Sequence, residues 1–197
     1  MERRLMKKIF TVGYEKIKTE DFIHLLKENN INVLVDVREN PFSMRKDFIK
    51  KYLSEILKEN GISYIHLKML GNPKFIRDNF KENKDTQEML YKYMQYIRTK
   101  DLTSIAKLIG DNNICLMCYE KDPLDCHRTV LAFELYRRGI IDAFEDLRGR
   151  LPKDEILLFC QNISSVESIL FGNDMHSWNI GTTDGKERIS PCLSSSI

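Results

Sequence analysis

The chain has 197 residues, of which 42% are hydrophobic, and its formal net charge is +2. This length suffices for one hydrophobic core, and the near-neutral charge excludes a protein dedicated to non-specific nucleic-acid binding, although a small anionic ligand stays open. There is neither an apolar run of about 18 residues nor an export signal, so we predict a cytoplasmic protein without a membrane span, whose five cysteines are reduced thiols.

Strand and helix patterns alternate from the start of the chain. Lys8–Gly13 is short and β-branched, which is typical of a strand. Thr19 is placed to cap a helix, because Glu20 and Asp21 suit the positive end of the helix dipole. The continuous apolar run Asn32–Val37 predicts a strand that is covered on both faces.

The second helix pattern is the clearest in the sequence. It begins after Ser43, a plausible cap, and its apolar positions recur at a spacing of four residues until Gly61 stops it. A third strand is predicted over Ile62–Leu67. Phe75–Asp85 is rich in charge, and we predict it to be a connector without assigned structure.

The second half of the chain continues the alternation. We predict a helix over Thr86–Lys100, a short helix from Asp101 to Gly110, a strand over Ile114–Tyr119, a helix over Thr129–Arg138, a weaker strand within Asp142–Leu147, and a helix or strand within Lys153–Gln161. Alternating strands and helices imply βαβ units, so the predicted fold is α/β: a single domain over 1–163 with a mostly parallel sheet flanked by helices. From Ser164 onward the periodicity disappears, and we predict that 164–197 is an irregular tail or extension.

Reactive side chains gather where the fourth predicted strand gives way to a helix. The segments Cys118–Glu120 and Cys126–Arg128 supply two thiols, a carboxylate, an imidazole and a guanidinium. Ligands of open α/β sheets bind at the carboxyl ends of strands, and a helix N-terminus attracts anions and lowers the pKa of a thiol. These segments are therefore candidates for binding or catalysis. The alternative is a capping cluster in which Arg128 pairs with Glu120 or Asp122.

The cysteine spacing argues against a metal site. Side chains alternate along a strand, so Cys115 and Cys118 point to opposite faces and make a poor zinc knuckle. A cluster of Cys118, Cys126 and His127 would need unusual backbone geometry, because Cys126 and His127 are adjacent. We therefore predict no metal and no cofactor, with zinc or iron as the less favoured alternative and Cys115 as part of the core.

The ends of the other predicted strands add further candidates. Asp36 and Arg38 lie on one face after the second strand, where they form either part of a ligand site or a mutual ion pair. Tyr14 follows the first strand, Ser43 lies in the loop after the second, and His66 lies near the end of the third. Because the carboxyl ends of parallel strands meet at one edge, we expect Asp36 and Arg38 to line one cavity with the two cysteine-containing segments.

Several of these motifs occur in an order that resembles a known family. They are Thr11–Tyr14, Val35–Arg38, Asn40–Pro41 with Ser43, Leu70–Asn72, Cys118–Glu120 with Pro123, and Cys126–Arg128. In order and spacing they resemble the family called domain of unknown function 488 (DUF488), from about Phe10 to Leu147. The resemblance implies a compact α/β domain found in cytoplasmic prokaryotic proteins, without an established activity.

A second resemblance is to rhodanese-like domains, which also place Val-Asp-Val-Arg-Glu, here Val35–Glu39, after a strand. In those domains a later strand ends in a catalytic cysteine loop. The corresponding loop here, Cys118–Arg128, is longer than the anion-cradling loop of rhodaneses or cysteine phosphatases, contains Pro123 and has no glycine. A transferase with Cys118 as its nucleophile is therefore an alternative that needs a different cradle.

The leading functional hypothesis is a small enzyme that acts on a phosphate-bearing substrate, such as a nucleotide or a nucleic-acid component. The two arginines would hold the anion, and the carboxylates would exchange protons with the substrate. The predicted catalytic residues are Asp36, Glu120, Cys126 and His127. The predicted ligand-binding residues are Tyr14, Arg38, Ser43, His66, Cys118 and Arg128. The competing classes are a non-catalytic module that binds a ligand or metal, and an interaction protein whose polar residues only fix loops.

Overall fold

The computed structural model describes residues 6–110 and 112–148, residues 158 and 162, and the backbone of 180–183 and 186–189. Its central sheet consists of β1 (Lys8–Gly13), β2 (Val33–Asp36), β3 (Ser63–His66), β4 (Ile114–Cys118) and β5 (Ala143–Asp146). The strand order is β3-β2-β4-β1-β5, and every pairing in this sheet is parallel. The predicted α/β class with a mostly parallel sheet is confirmed.

Six α-helices lie in the described part of the chain. They are α1 (Thr19–Glu28), α2 (Lys50–Glu59), α3 (Lys74–Asn83), α4 (Thr86–Arg98), α5 (Thr103–Leu108) and α6 (His127–Arg137). Short 3₁₀ turns at Lys46–Phe48, Lys68–Leu70 and Pro123–Asp125 follow β2, β3 and β4. None of the described helices has the length and the apolar character needed to cross a membrane.

The sheet separates two hydrophobic cores. Val33 and Val35 of β2 belong to the core that contains side chains of α4, α5 and α6, whereas Leu34 belongs to the core formed with α1 and α2. Leu116 and Met117 of β4 divide in the same way. Because helices cover both faces, β2 and β4 are buried along their whole length, which explains their continuous apolar runs.

The caps predicted for the first two helices are wrong, while the predicted stop is confirmed. Thr19 is the first residue of α1, and its hydroxyl donates to the carboxylate of Asp47 at 2.7 Å. Ser43 accepts a hydrogen bond from the backbone N–H two residues later and so shapes the loop, while α2 starts only after the 3₁₀ turn. Gly61 follows α2 with a φ of 74°, the left-handed conformation that ends helices.

The segment Phe75–Asp85, predicted as a connector, is mostly helical. It contains nearly all of α3, which ends at Lys84 in a left-handed conformation with a φ of 58°. Asp85 then caps α4 by accepting a hydrogen bond from the N–H of Glu88 at 2.9 Å. Helix α3 was not predicted because its sequence shows little apolar periodicity, since Ile76 is its one buried residue.

The chain divides into two compact units, 1–163 and 164–197, each of which is described by itself. In the second unit, β6 (Ile180–Thr183) and β7 (Lys186–Ile189) pair as an antiparallel hairpin. This hairpin lies within the stretch predicted to be irregular. The element predicted within Lys153–Gln161 and the remainder of the predicted tail lie largely outside the described residues.

The strand order produces a switch point at the carboxyl edge of the sheet. The connection from β2 leads outward to β3, whereas the connection from β4 leads the other way, across β1, to β5. The loops after these two neighbouring strands therefore diverge, and open α/β sheets bind their ligands where this happens. Asp36 and Arg38 lie at the end of β2, and the two cysteine-containing segments lie at the end of β4 and in the loop and helix after it.

Candidate functional site

Four reactive side chains meet beside the carboxyl end of β4. They are Cys118, Glu120, Cys126 and His127, called here the thiol cluster, and one possible ligand atom from each lies within 4.8 Å of all the others. The sulfur of Cys118 lies 3.2 Å from Glu120 Oε2 and 3.6 Å from His127 Nδ1. The sulfur of Cys126 lies 2.9 Å and 3.9 Å from the same two atoms.

The fold brings the members of this cluster together from separate elements. Cys118 ends β4 and belongs to the core on the side of α4 and α6. Cys126 has an extended backbone, with φ −126° and ψ 135°, and His127 begins α6, two residues earlier than the predicted start at Thr129. The change from extended to helical backbone directs these adjacent side chains to one place. Both conformations are ordinary, so the geometric objection to their sharing a metal does not hold.

The imidazole of His127 is fixed in a defined orientation. Its Nε2 lies 2.9 Å from the carbonyl oxygen of Val37, just beyond β2. A carbonyl oxygen only accepts hydrogen bonds, so Nε2 carries the hydrogen and Nδ1 faces the two sulfurs. Tyr93 of α4 packs edge-on against the imidazole, with ring centroids 4.9 Å apart. Histidines that ligate metals are commonly oriented by such a second hydrogen bond.

Three members of the cluster are almost completely buried, with exposed fractions of 4, 1 and 6% for Cys118, Cys126 and His127. Burial raises the pKa of the Cys118 thiol well above its ordinary value. Burial, and after it the negative charge of Cys126, raises the pKa of Glu120 to about 7. Burial also opposes ionisation of Cys126, but the Cys118 hydrogen bond and the Arg128 charge outweigh it and lower its pKa. The acid groups therefore compete for ionisation, and a cation among them would relieve the competition.

Arg128 is fully buried and binds protein groups with its whole guanidinium. Nε and Nη2 each lie 3.1 Å from the carboxylate of Asp146, the last residue of β5. Nη1 donates to the carbonyl of Glu120 at 2.6 Å, and Nη2 donates to that of Lys121 at 3.1 Å. These partners differ both from the ligand anion and from the Glu120 or Asp122 side chains that the sequence suggested. Arg128 ties the loop after β4 to β5.

Gly13, the last residue of β1, allows this loop to approach closely. A Cβ atom at position 13 would lie 1.6 Å from the carbonyl oxygen of Glu120 and 3.1 Å from Nη1 of Arg128. Glycine is therefore required by the space available rather than by its backbone conformation. As a result, the backbone of Glu120 is held between β1 and the Arg128 guanidinium.

A second group, the Asp36 cluster, consists of Tyr14, Asp36, Arg38, Tyr64 and His66. Arg38 donates hydrogen bonds to the buried Asp36 carboxylate from Nη2 at 2.6 Å and from Nε at 2.9 Å. Its Nη1 donates to the Tyr14 hydroxyl at 2.9 Å. Tyr64 donates to Asp36 at 2.6 Å, and His66 Nε2 lies 2.8 Å from the Arg38 carbonyl. The mutual ion pair, one of two sequence-based alternatives, is therefore present.

The two clusters lie on opposite faces of the sheet. Asp36 pairs in register with Met117, so their side chains share a face and Cys118 points the other way. Met117 accordingly packs in the core of α1 and α2, and Cys118 packs in the other core. This corrects the expectation of one cavity lined by both groups. The clusters are linked through the main chain of Val37, whose carbonyl accepts the His127 hydrogen bond.

Several residues that complete these clusters were not among the predicted site residues. Tyr64 lies in the short strand β3 next to Ile65, and Tyr93 belongs to the apolar stripe of α4, so each looked like an ordinary packing residue. Asp146 lies in the weakest strand pattern. Its only signal was that it is an acidic residue near the end of a predicted parallel strand.

A family model described as "Domain of unknown function DUF488" matches residues 18–135, which is more than half of the chain. The match includes the whole thiol cluster, together with Asp36 and Arg38, and it excludes Tyr14 and Asp146. Comparison with curated proteins and with solved structures gives no match. The family description names no activity, so the function has to be argued from the geometry of the site.

Proposed function

The chain belongs to the DUF488 family, and from that premise we propose that it is a metalloprotein whose thiol cluster binds one transition-metal ion, with zinc favoured. The observation that supports the proposal is the convergence of four donor atoms within 4.8 Å of one another. Two thiolates and an imidazole are soft or borderline ligands, a combination that suits zinc better than magnesium or calcium. The carboxylate is compatible with the same ion.

The donor spacing agrees with tetrahedral coordination. With bonds of about 2.3 Å to sulfur and about 2.0 Å to nitrogen, tetrahedral angles place sulfur and nitrogen about 3.5 Å apart. The two sulfur–nitrogen distances in the cluster are 3.6 and 3.9 Å. The sulfur–oxygen distances of 3.2 and 2.9 Å are shorter and are those of hydrogen-bonded groups.

The phosphate-directed enzyme predicted from the sequence receives less support. It requires Arg38 and Arg128 to offer donors to a ligand, yet Arg38 binds Asp36 and Arg128 binds Asp146. An anion would have to break a buried ion pair and leave a buried carboxylate unpaired, which is costly. Metal binding at the thiol cluster breaks neither pair.

The transferase with Cys118 as its nucleophile is also less well supported. A thiolate, not a thiol, is the nucleophile in such reactions. Burial raises the pKa of Cys118, and the guanidinium of Arg128 is committed to Asp146 and to loop carbonyls. Both observations disfavour Cys118 as the nucleophile of an anion-binding loop.

Elemental analysis of the purified full-length protein tests the proposal. After dialysis against metal-free buffer we expect about one zinc per chain. Cys118→Ser and Cys126→Ser should lose this metal while circular dichroism shows a folded protein. Cys115→Ser is the matched control, because Cys115 is a buried thiol of the same strand that packs in the opposite core.

The metal proposal fails under either of two results. One is a wild-type protein that contains no metal and whose metal-free form does not compete with a chromophoric chelator for zinc. The other is a metal content that falls equally in Cys115→Ser and Cys118→Ser, since that would report general damage to the fold rather than loss of a ligand.

A further inference from the structure

We infer that Glu120 is the base of this metal centre, acting on a water molecule in an exchangeable fourth coordination position, and is not a permanent ligand. The inference rests on the proposed metal site and deepens it by assigning a reaction class, hydrolysis. Structural zinc sites are closed by four protein ligands, whereas catalytic sites have three protein ligands and an open position for water. The question is therefore whether Glu120 resembles the other three donors.

The first difference is in burial and anchoring. Cys118, Cys126 and His127 are buried and lie at the end of β4 or the start of α6. Glu120 is only partly buried and lies in the intervening loop, between Tyr119, which is 47% exposed, and the exposed Lys121. Glu120 is therefore the least buried member of the cluster.

The second difference lies in what holds the carboxylate. Glu120 Oε2 contacts the sulfurs of Cys118 and Cys126 at 3.2 and 2.9 Å, and each contact requires a proton between sulfur and oxygen. A bound metal takes thiolates as ligands and displaces their protons. In the loaded site Glu120 must then either coordinate the ion or accept a hydrogen bond from another donor. A metal-bound water is such a donor and would stand in the same place.

Electrostatics favours a water molecule over Glu120 as the fourth ligand of the metal. Two thiolates neutralise a divalent ion, so a centre built from Cys118, Cys126 and His127 carries no net charge. Coordination by Glu120 would add a negative charge to a buried centre. The neighbouring cation, Arg128, is already paired with the buried Asp146 and does not fully compensate that charge. A carboxylate that hydrogen-bonds to a metal-bound water instead keeps its charge outside the coordination sphere.

The backbone of Glu120 is fixed by its surroundings. Its carbonyl accepts a hydrogen bond from Arg128 at 2.6 Å and lies against Gly13. A fixed main chain keeps the carboxylate within hydrogen-bond reach of the fourth position, as a general base requires.

The inferred reaction is balanced in atoms and charge. An ion held by Cys118, Cys126 and His127 would lower the pKa of a bound water, and Glu120 would accept the proton that this water loses. The water oxygen would form a bond to an electrophilic carbon or phosphorus of the substrate, and the bond from that atom to its leaving group would break. The proton on Glu120 then passes to the leaving group, so that one water is consumed and the carboxylate is restored.

Metal content separates a base from a ligand. Glu120→Gln should retain about one metal per chain, with an affinity loss no larger than the roughly 10- to 100-fold typical of groups outside the coordination sphere. Cys118→Ser and Cys126→Ser should lose the metal altogether. Lys121→Gln, which changes the exposed neighbour, is the matched control and should behave like the wild type. Loss of metal from Glu120→Gln to the same extent as from the cysteine variants would overturn the inference.

Cobalt substitution tests the fourth position directly. The visible bands of the cobalt-loaded wild type should change saturably with azide or acetohydroxamate and should shift with pH as the bound water ionises. The midpoint of that shift should move in Glu120→Gln. Visible bands that do not change with either added ligand would overturn the inference. So would a pH midpoint that is the same in the wild type and in Glu120→Gln. A wild type that binds neither zinc nor cobalt would instead defeat the metal site, so the two failures are distinguishable.

Discussion

The thiol cluster and the Asp36 cluster end neighbouring strands of one sheet, yet they satisfy their polar groups differently. In the Asp36 cluster, the carboxylate has Arg38 and Tyr64 as donors, and the remaining arm of Arg38 has Tyr14. In the thiol cluster, burial and mutual charge raise the pKa values of Cys118 and Glu120. A network whose donors match its acceptors rigidifies a fold, whereas a buried surplus of acid groups is typical of functional sites.

This difference implies separate consequences for substitutions in the two clusters. Breaking the Asp36 cluster should destabilise the fold without changing what the protein binds. Breaking the thiol cluster should remove ligand binding at a smaller cost to the metal-free fold. The following predictions run from the largest expected effect to the smallest.

Removal of Arg38 should have the largest effect on stability. Arg38→Met leaves the fully buried Asp36 carboxylate without its charged partner, and breaking a buried pair costs on the order of 3–5 kcal/mol. The free energy of unfolding from urea titrations measures this loss. Lys46→Ala, an exposed cation of the following loop, should stay within about 0.5 kcal/mol of the wild type. An Arg38→Met protein as stable as that control would show that the ion pair is not structural.

Metal loading should stabilise the wild type and leave the cysteine variants unchanged. An ion that binds only the folded state adds about 2.7 kcal/mol when its free concentration is 100 times the dissociation constant. We therefore expect zinc to raise the Tm of the wild type and chelator to lower it again. Cys126→Ser should respond to neither addition. An equal rise in Tm for both proteins would indicate binding away from the thiol cluster.

Gly13→Ala should affect both the fold and the metal site, because the new Cβ would meet the Glu120 carbonyl at 1.6 Å. Overpacking of this kind costs about 1–3 kcal/mol, and displacement of the loop should also weaken zinc binding. Gly110→Ala is the matched control, because a Cβ there meets no heavy atom within 4 Å. Unfolding titrations and zinc competition measure the two effects. Retention of wild-type zinc affinity in Gly13→Ala would show that the loop position is unimportant for the site.

Strands β2 and β4 were predictable because burial on both faces of the sheet requires a continuous run of apolar residues. Val33–Asp36 and Ile114–Cys118 lie within their predicted ranges. Helix α3 was missed because it buries little beyond Ile76. The prediction for Ser43 was wrong because a serine that shapes a loop and a serine that caps a helix occur in similar local sequences.

For the site, the sequence indicated the residues but not their grouping. The predicted residues end or follow parallel strands at their carboxyl ends, as the alternation of strands and helices implies. The separation of Asp36 from Cys118 depends on the register of β2 and β4, in which Asp36 lies beside Met117. The local sequence of each strand does not reveal the register between strands that are far apart in the chain. The partnership of Arg128 with Asp146 likewise depends on the position of β5 in the sheet.

A paired carboxylate that belongs to neither cluster provides the last comparison. Glu134, in the last turn of α6, accepts hydrogen bonds from Arg137 and Arg138, and Arg138 also donates to carbonyls at the end of α4, including that of Arg98 at 2.8 Å. Burial opposes ionisation of Glu134, but the two arginines outweigh it and lower its pKa. If matched networks serve the fold alone, substitution of Glu134 should, like substitution in the Asp36 cluster, change stability and leave metal binding unchanged.

Its effect should be small and should depend on pH in a defined direction. Because the pKa of Glu134 is lower in the folded than in the unfolded chain, its ionisation stabilises the fold above the ordinary glutamate pKa of about 4.3. That stabilisation is lost as the pH falls through the lowered folded-state value. Glu134→Gln should therefore cost on the order of 1 kcal/mol at pH 7 and less at about pH 3, in paired urea titrations, with zinc content unchanged. A cost that grows on acidification would contradict the assignment, and a loss of zinc would show that matched and unmatched polar groups are not separable in this protein.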